Sequence, residues 1–293
     1  MGHHYVPQQY LKGFEASDEP GAIWTYDKKT HRFARIPIRV VAQEAGYYDP
    51  EIEEELSKLV EGPGHSSLAK LRRHESLSGD DRLRLAMYVA TMMMRVPRRH
   101  RKASELMPSV LNGVIDEVRS RIEEWAKRPD VDQELVARRL AEVEHAHRKV
   151  SQDPPTEVVE QIRSPWPSEK VVGLVHGMTW RIAMSNGENR FLTSDNPAYF
   201  FEGYGLGAPE AEITFPLASD IALLASWQGV PRSVISVQAW PELVKEVNRR
   251  VASGAERFVF YDERRDWVAT VSEKPNPFLR RISWQLEGET REA

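Results

Sequence analysis

The chain has no cysteine among its 293 residues. Disulfides, thiolate nucleophiles and Cys-built zinc sites are excluded, so any metal must be held by His, carboxylate, amide or hydroxyl ligands. An uninterrupted apolar run of about 18 residues, the length a membrane span needs, is also missing. So are the basic region and apolar stretch that would mark a secretory signal. These absences predict a cytoplasmic protein without a membrane segment. Charge of one dominant sign is lacking too: 40 Lys and Arg face 44 Asp and Glu, for a net charge of −4 and an isoelectric point near 6.2. That balance gives no overall footprint for nucleic acid and leaves only a local basic patch. The sequence holds no Gly-rich phosphate loop, no His-Glu-x-x-His and no Gly-x-Ser-x-Gly, which removes several common catalytic frames. Gly203-Tyr204-Gly205-Leu206-Gly207 is Gly-rich but lacks the strand and helix of a dinucleotide site, and reads as a lid or plain connection.

What is present describes an ordinary globular chain, 41% hydrophobic and 29% charged, long enough to bury a sizeable core. Its most unusual stretch comes almost first: His3-His4-Tyr5-Val6-Pro7-Gln8-Gln9-Tyr10-Leu11-Lys12-Gly13-Phe14. Termini fray unless something ties them down. Tyr5, Tyr10, Leu11 and Phe14 supply apolar surface to dock this arm, which would hold two imidazoles in fixed places. A β-hairpin follows, Ala22 to Asp27 against His31 to Ile38, the latter alternating with period two. From Asp49 to about Arg163 the spacing is helical. Ile52, Leu56, Leu59 and Val60 recur until Gly62-Pro63-Gly64, which should stop that helix. Ser78-Gly79-Asp80-Asp81 is an N-cap for the longest apolar face, Leu83 to Met94, and Pro97 should end it just beyond Arg95. Further helices are expected over 104–127 and 131–150. Pro154, Pro155, Pro165 and Pro167 mark the best boundary. Beyond it, Asn186-Gly187 between Thr179–Met184 and Arg190–Ser194 signals a hairpin. Strands are expected over 213–217, 221–226, 257–261 and 267–271, with a helix near 240–253 and a polar tail from Glu287. The predicted fold is α+β: a central helical block (51–163) between an N-terminal β-hairpin with docked arm (1–50) and a C-terminal antiparallel β-rich region (168–286), the whole of 1–293 forming one compact unit.

Three short motifs lie far apart: His3-His4-Tyr5-Val6-Pro7-Gln8, Met94-Arg95-Val96-Pro97 and Leu192-Thr193-Ser194-Asp195-Asn196-Pro197. With Ile23-Trp24-Thr25-Tyr26-Asp27 and Phe215-Pro216-Leu217 they make most of the chain resemble the family catalogued as domain of unknown function 4238. Its members open with a His-His-Tyr-Val-Pro-Gln-like arm and carry an Arg-x-Pro step after a long apolar helix and a Ser-Asp-Asn-Pro step after a strand. The resemblance implies a shared fold and a shared site, without an activity. The His-His-x-Val-Pro start is also similar to the first strand of His-Asn-His nucleases, but no Asn precedes Asn112 and the rest of that frame is absent.

Taken as residues, the motifs leave two readings open. In the first, the protein is an intracellular hydrolase, with a divalent metal as the candidate cofactor, acting on a phosphate-containing substrate; a nuclease is one form of it. His4 and Asp195 would be metal ligands or base, Arg95 an anion clamp, and His3, Tyr5, Gln8, Ser194 and Asn196 supporting groups. Alternate side chains of an extended arm face opposite sides, so one of His3 and His4 enters the site and the other bonds elsewhere. The basic run Arg95–Lys102, with Arg72 and Arg73, would be the phosphate or nucleic-acid patch. In the second reading the protein only binds or interacts. The same residues form a structural polar network, Asp195 closes a strand-end turn, and Arg95 is a buried ion pair, with Asp195 as the candidate partner.

Overall fold

The computed structural model describes residues 2–152, 164–187, 189–201 and 205–273. Pro154 and Pro155, Gly203 and Tyr204, and the tail from Glu287 lie outside the described residues. The chain divides into two compact units, one of Met1–Arg98 with Pro165–Ala293, the other Arg99–Ser164. The expected helical block is therefore split, because its first helices share a core with both β-rich ends.

In the larger unit the arm forms strand β1 (Gly2–His4), a single turn α1 (Gln8–Leu11) and a 3₁₀ turn (Lys12–Phe14). The expected hairpin is present as β2 (Ala22–Asp27) and β3 (Arg32–Pro37), in antiparallel register with Tyr26 opposite Phe33. A short β4 (Gln43–Ala45) pairs with β1, setting His3 opposite Glu44 and His4 opposite Gln43. A helical rod follows: α2 (Pro50–Glu55), a π turn (Leu56–Glu61) and α3 (Gly62–Arg72). The rod thus runs through Gly62-Pro63-Gly64 instead of stopping there. Pro63 falls in the first turn of the renewed α register, where a missing N–H is no loss. Helix α4 (Gly79–Met94) opens on a reciprocal capping box between Ser78 and Asp81 and closes at Arg95, as Pro97 requires.

The C-terminal part builds two sheets. One has the order β10-β5-β9-β8-β7: Val234–Gln238, Thr179–Met184, Ile221–Ser226, Glu212–Ala218 and Tyr199–Phe200. All its pairs are antiparallel except β10 with β5. The other has the order β3-β2-β11-β6, adding Phe258–Tyr261 and Thr193–Ser194 to the hairpin. Two expectations fail here. The Asn186-Gly187 turn forms, with Gly187 at φ +77°, but no hairpin with 190–194 results, since β5 already has β9 and β10 on its two sides. Instead Phe191 N donates to Ser219 O (2.8 Å) and Leu192 N to Asn248 Oδ1 (2.8 Å), which steers the chain into the second sheet. The run 267–271 is helical (Trp267–Glu273). Strand β11 before it is flanked by β2 and β6, and Val268 and Ser272 turn inward one helical turn apart. Among the described residues no helix is long and apolar enough to cross a membrane.

Two apolar clusters fill the unit. The first gathers the arm (Val6, Tyr10, Leu11, Phe14), α3 and α4 (Leu68, Val89) and the five-stranded sheet (Trp180, Phe215). The second joins both sheets to the helix Pro241–Gly254 through Val247, Val251, Ala222 and Val259. Tyr10, Leu11 and Phe14 are fully buried. At about 1.5–3 kcal/mol for each large apolar side chain, their docking outweighs the entropy of ordering a short terminal segment. Arg72 adds polar pins: its guanidinium donates to Leu217 O (2.9 and 2.7 Å), Tyr10 O (2.7 Å) and Gln9 O (3.2 Å). Gly13 is required at this clamp, because a Cβ there would collide with the Arg72 guanidinium and lie 2.9 Å from Leu217 O.

The smaller unit is helical. It holds α5 (Pro97–Ala126) beyond Arg98 and α6 (Gln133–Gln152), joined by the Arg119–Glu144 ion pair and by His147 on Asn112 (2.8 Å).

Candidate functional site

The extended start of the arm separates its two imidazoles as the alternation requires. His3 Nδ1 accepts from Tyr48 N (3.1 Å). His4 turns the other way, into a cavity of about 380 Å³ between the arm and the helical rod. The arm side is lined by His4, Pro7, Gln8, Gln9 and Lys12, and the rod side by Glu53, Ser57, Glu61, Gly62 and His65. The rod contribution is one stripe of every fourth residue, 53, 57, 61 and 65. At about 3.6 residues per turn such spacing drifts around a helix. The wider π turn over Leu56–Glu61 offsets the drift and keeps the four side chains on one line.

Arg95 anchors the cavity from behind. Its side chain is 1% exposed and donates from Nη1 to Glu61 Oε1 at 2.5 Å and from Nη2 to His4 O. Its own carbonyl accepts from Tyr47 and Tyr48 hydroxyls at 2.9 and 3.0 Å. Burial works against the Arg95 charge, and the Glu61 carboxylate outweighs it, so the guanidinium stays protonated. The candidate ion pair of Arg95 with Asp195 is therefore replaced by Arg95 with Glu61, and Arg95 presents no anion clamp.

Two of the lining residues carry a buried atom without a hydrogen-bond partner, His4 Nε2 and Glu53 Oε2. Burial pushes the His4 imidazole below its usual 6.5; the Arg39 backbone opposes that, Arg95 reinforces it and Glu61 opposes it. His4 Nε2 is buried and makes no hydrogen bond within the protein. Burial raises the Glu53 carboxyl, with Glu61 adding to the rise and Arg95 and His3 opposing it. His65 is engaged by the Tyr88 hydroxyl at 3.1 Å. Burial pushes it down to about 4, against Glu61 and with Arg72 and Arg95.

The His65 shift predicts a stability profile. A histidine whose folded pKa is depressed stabilises above its unfolded value near 6.5 and loses that contribution as pH falls toward 4. The loss amounts to at most about 3 kcal/mol. Thermal unfolding at pH 7 and pH 4 should show a drop that is roughly 5 °C or more smaller in His65→Gln than in the parent chain. Equal drops would mean that His65 is not held neutral.

Asp195 is elsewhere. It is 2% exposed and is not among the residues lining the cavity. Its Oδ1 accepts from Glu256 N (2.8 Å), and its Oδ2 from Arg257 N (2.7 Å) and Phe258 N (2.8 Å). Burial pushes its carboxyl up to about 6, against those N–H donors and against Lys28 and Arg98. Ser194 Oγ accepts from Asn196 N (3.1 Å), and Asn196 Nδ2 donates to Gly254 O (2.9 Å). Lys28 and Arg98 reach the same helix end, bonding carbonyls of Ala252, Ala255, Ser253 and Gly254. The Ser-Asp-Asn step therefore caps the helix Pro241–Gly254 and latches the segment after it. A metal site on His4 with Asp195 is not formed, and among the described residues no group of three or more His, Asp or Glu is placed to hold a metal ion.

Of the expected site residues, the structure brings His4 and Gln8 to the cavity and Arg95 behind it. Tyr5 is buried in ring contact with Tyr47 at 5.5 Å. The expected basic patch loses its ends, since Arg95 and Arg72 are used inside the fold. Glu53, Ser57, Glu61 and His65 were not expected. Their signal was the four-residue polar spacing, hidden by reading Gly62-Pro63-Gly64 as a helix end.

The chain belongs to the family described as protein of unknown function (DUF4238), which matches residues 2–265. No curated protein and no solved structure gives a significant match.

Proposed function

We propose that the cavity between the arm and the helical rod is the active site of a hydrolase with His4 as general base. The observation that carries this reading is His4, a lining residue of a 380 Å³ cavity whose buried Nε2 has no protein partner. Its lowered pKa leaves the imidazole neutral at pH 7, the form a general base needs. In this scheme Nε2 takes a proton from a water as the water oxygen bonds to the electrophilic carbon or phosphorus. The bond to the leaving group then breaks, and the imidazolium returns the proton to it. Arg95 acts at one remove, holding the His4 carbonyl and the Glu61 carboxylate in place. Asp195 has no part in the chemistry.

A phosphate-containing substrate, the sequence expectation, is not what the lining favours. Arg95 is committed to Glu61 and His4, Arg72 to three arm and sheet carbonyls, and Lys12 is the one cationic side chain among the lining residues. Phosphodiesters remain one arm of the test, beside carboxylic esters and amides. His4→Gln should lower kcat/KM by roughly 10²–10⁴-fold while Tm stays within a few degrees. The parent kcat/KM should fall on the acid side with an inflection below pH 6.5. Activity that survives His4→Gln would end this mechanism. The closed contacts of Arg95, Asp195 and Asn196 favour a second reading, a binding module with a locked arm. It predicts no turnover on any of the three substrate classes.

A further inference from the structure

Hydrogen-bond capacity around the cavity is one-sided. His4 Nε2 is buried without a hydrogen-bond partner. Glu53 Oε2 is a buried acceptor without a partner. Glu61 lines the same wall with a carboxylate that Arg95 engages through Oε1. His65 Nε2 is engaged by Tyr88. Gln8, Gln9 and Ser57 can donate or accept, and Lys12 alone is a dedicated donor. A phosphate at neutral pH brings negative charge and mostly acceptors, and would meet two acidic side chains and one ammonium. An ammonium brings three donors and a guanidinium five, together with the charge the carboxylates lack.

We infer that this cavity takes a ligand carrying a protonated amine or a guanidinium group, with Glu53 as the residue that recognises it. The ammonium or guanidinium donates to Glu53 Oε2, with Glu61 adding charge from two turns further along the rod. The rest of the ligand then lies toward His4 Nε2. A volume of about 380 Å³ suits a small amine or one basic side chain, at the lower end of ligand pockets. The inference rests on the hydrolase reading for its substrate class, but its binding half stands without turnover.

The test is calorimetric titration of the full chain with butylamine, butylguanidine, butanol and inorganic phosphate, run beside the turnover assay. The two cations should bind and the alcohol and phosphate should not. Glu53→Gln should weaken the cations at least ten-fold. Ser57→Lys, an exposed change that sends an ammonium toward the cavity, should block them even if Glu53→Gln is poorly folded. His4→Gln should keep cation binding within about three-fold while lowering kcat/KM by roughly 10²–10⁴-fold. Phosphate or butanol binding as well as butylamine, or cation binding indifferent to both Glu53→Gln and Ser57→Lys, would overturn the inference. Cation binding without hydrolysis of any substrate would retire the hydrolase reading and leave this one intact. Hydrolysis of a neutral substrate without cation binding would do the reverse.

Discussion

Arg95→Met should lower the unfolding free energy by about 3–5 kcal/mol, the range for breaking one partner out of a buried ion pair. The guanidinium is 1% exposed and makes two kinds of contact at once, an ion pair with Glu61 and a bond to the His4 carbonyl. Methionine fills a similar volume, so the cavity left behind is small and most of the loss is electrostatic. Glu61 is left with its carboxylate 18% exposed and without its cation, and the arm loses the donor that fixes it beside the cavity. Denaturant unfolding measures the first loss. Hydrogen exchange at Tyr5, whose amide bonds Ala42 O at 3.0 Å, measures the second. Adding Glu61→Gln should recover part of the stability, because the unpaired buried charge is then gone, but not the arm contact. A loss under 1 kcal/mol, or no gain from the second substitution, would mean that the pair does not hold the site together.

The same residue shows what the sequence could and could not disclose. A charged side chain one turn from the end of an apolar, Met-rich helix has to be paired, and that much is readable without coordinates. Its partner is not, because Glu61 sits in a segment where Gly62-Pro63-Gly64 argues for a helix end. Only the change to a π turn carries the rod through that point. The docking of the arm was legible from Tyr10, Leu11 and Phe14, and the opposite facing of His3 and His4 from strand geometry. The N-cap at Ser78 and the end of α4 before Pro97 were equally plain. Two strand readings, the hairpin partner at 190–194 and the run 267–271, share another cause. Arg190–Ser194 and Trp267–Val271 have strand-like composition, and whether such a run pairs depends on which sheet edges are already taken, a property of the assembled fold.

Asp195→Asn tests the division between the cavity and the helix latch. The carboxylate accepts three backbone N–H groups at 2.7–2.8 Å, and an amide offers one oxygen and turns an NH₂ toward donors. At least one backbone N–H is then left unsatisfied in a site that is 2% exposed, and each such group costs about 1–3 kcal/mol. With the charge-assisted part of the remaining bonds also lost, the expected destabilisation is about 3–5 kcal/mol, or roughly 8 °C or more in Tm. The loss should centre on the segment 256–258, where amide exchange would quicken, and on the C-terminal end of the helix Pro241–Gly254 that Asn196, Lys28 and Arg98 also hold. Cation binding in the cavity and its dependence on Glu53 should be unchanged below the new Tm. If Asp195→Asn instead abolishes binding or turnover while Tm barely moves, Asp195 belongs to the chemistry after all, and the cavity residues named above are not the whole of the site.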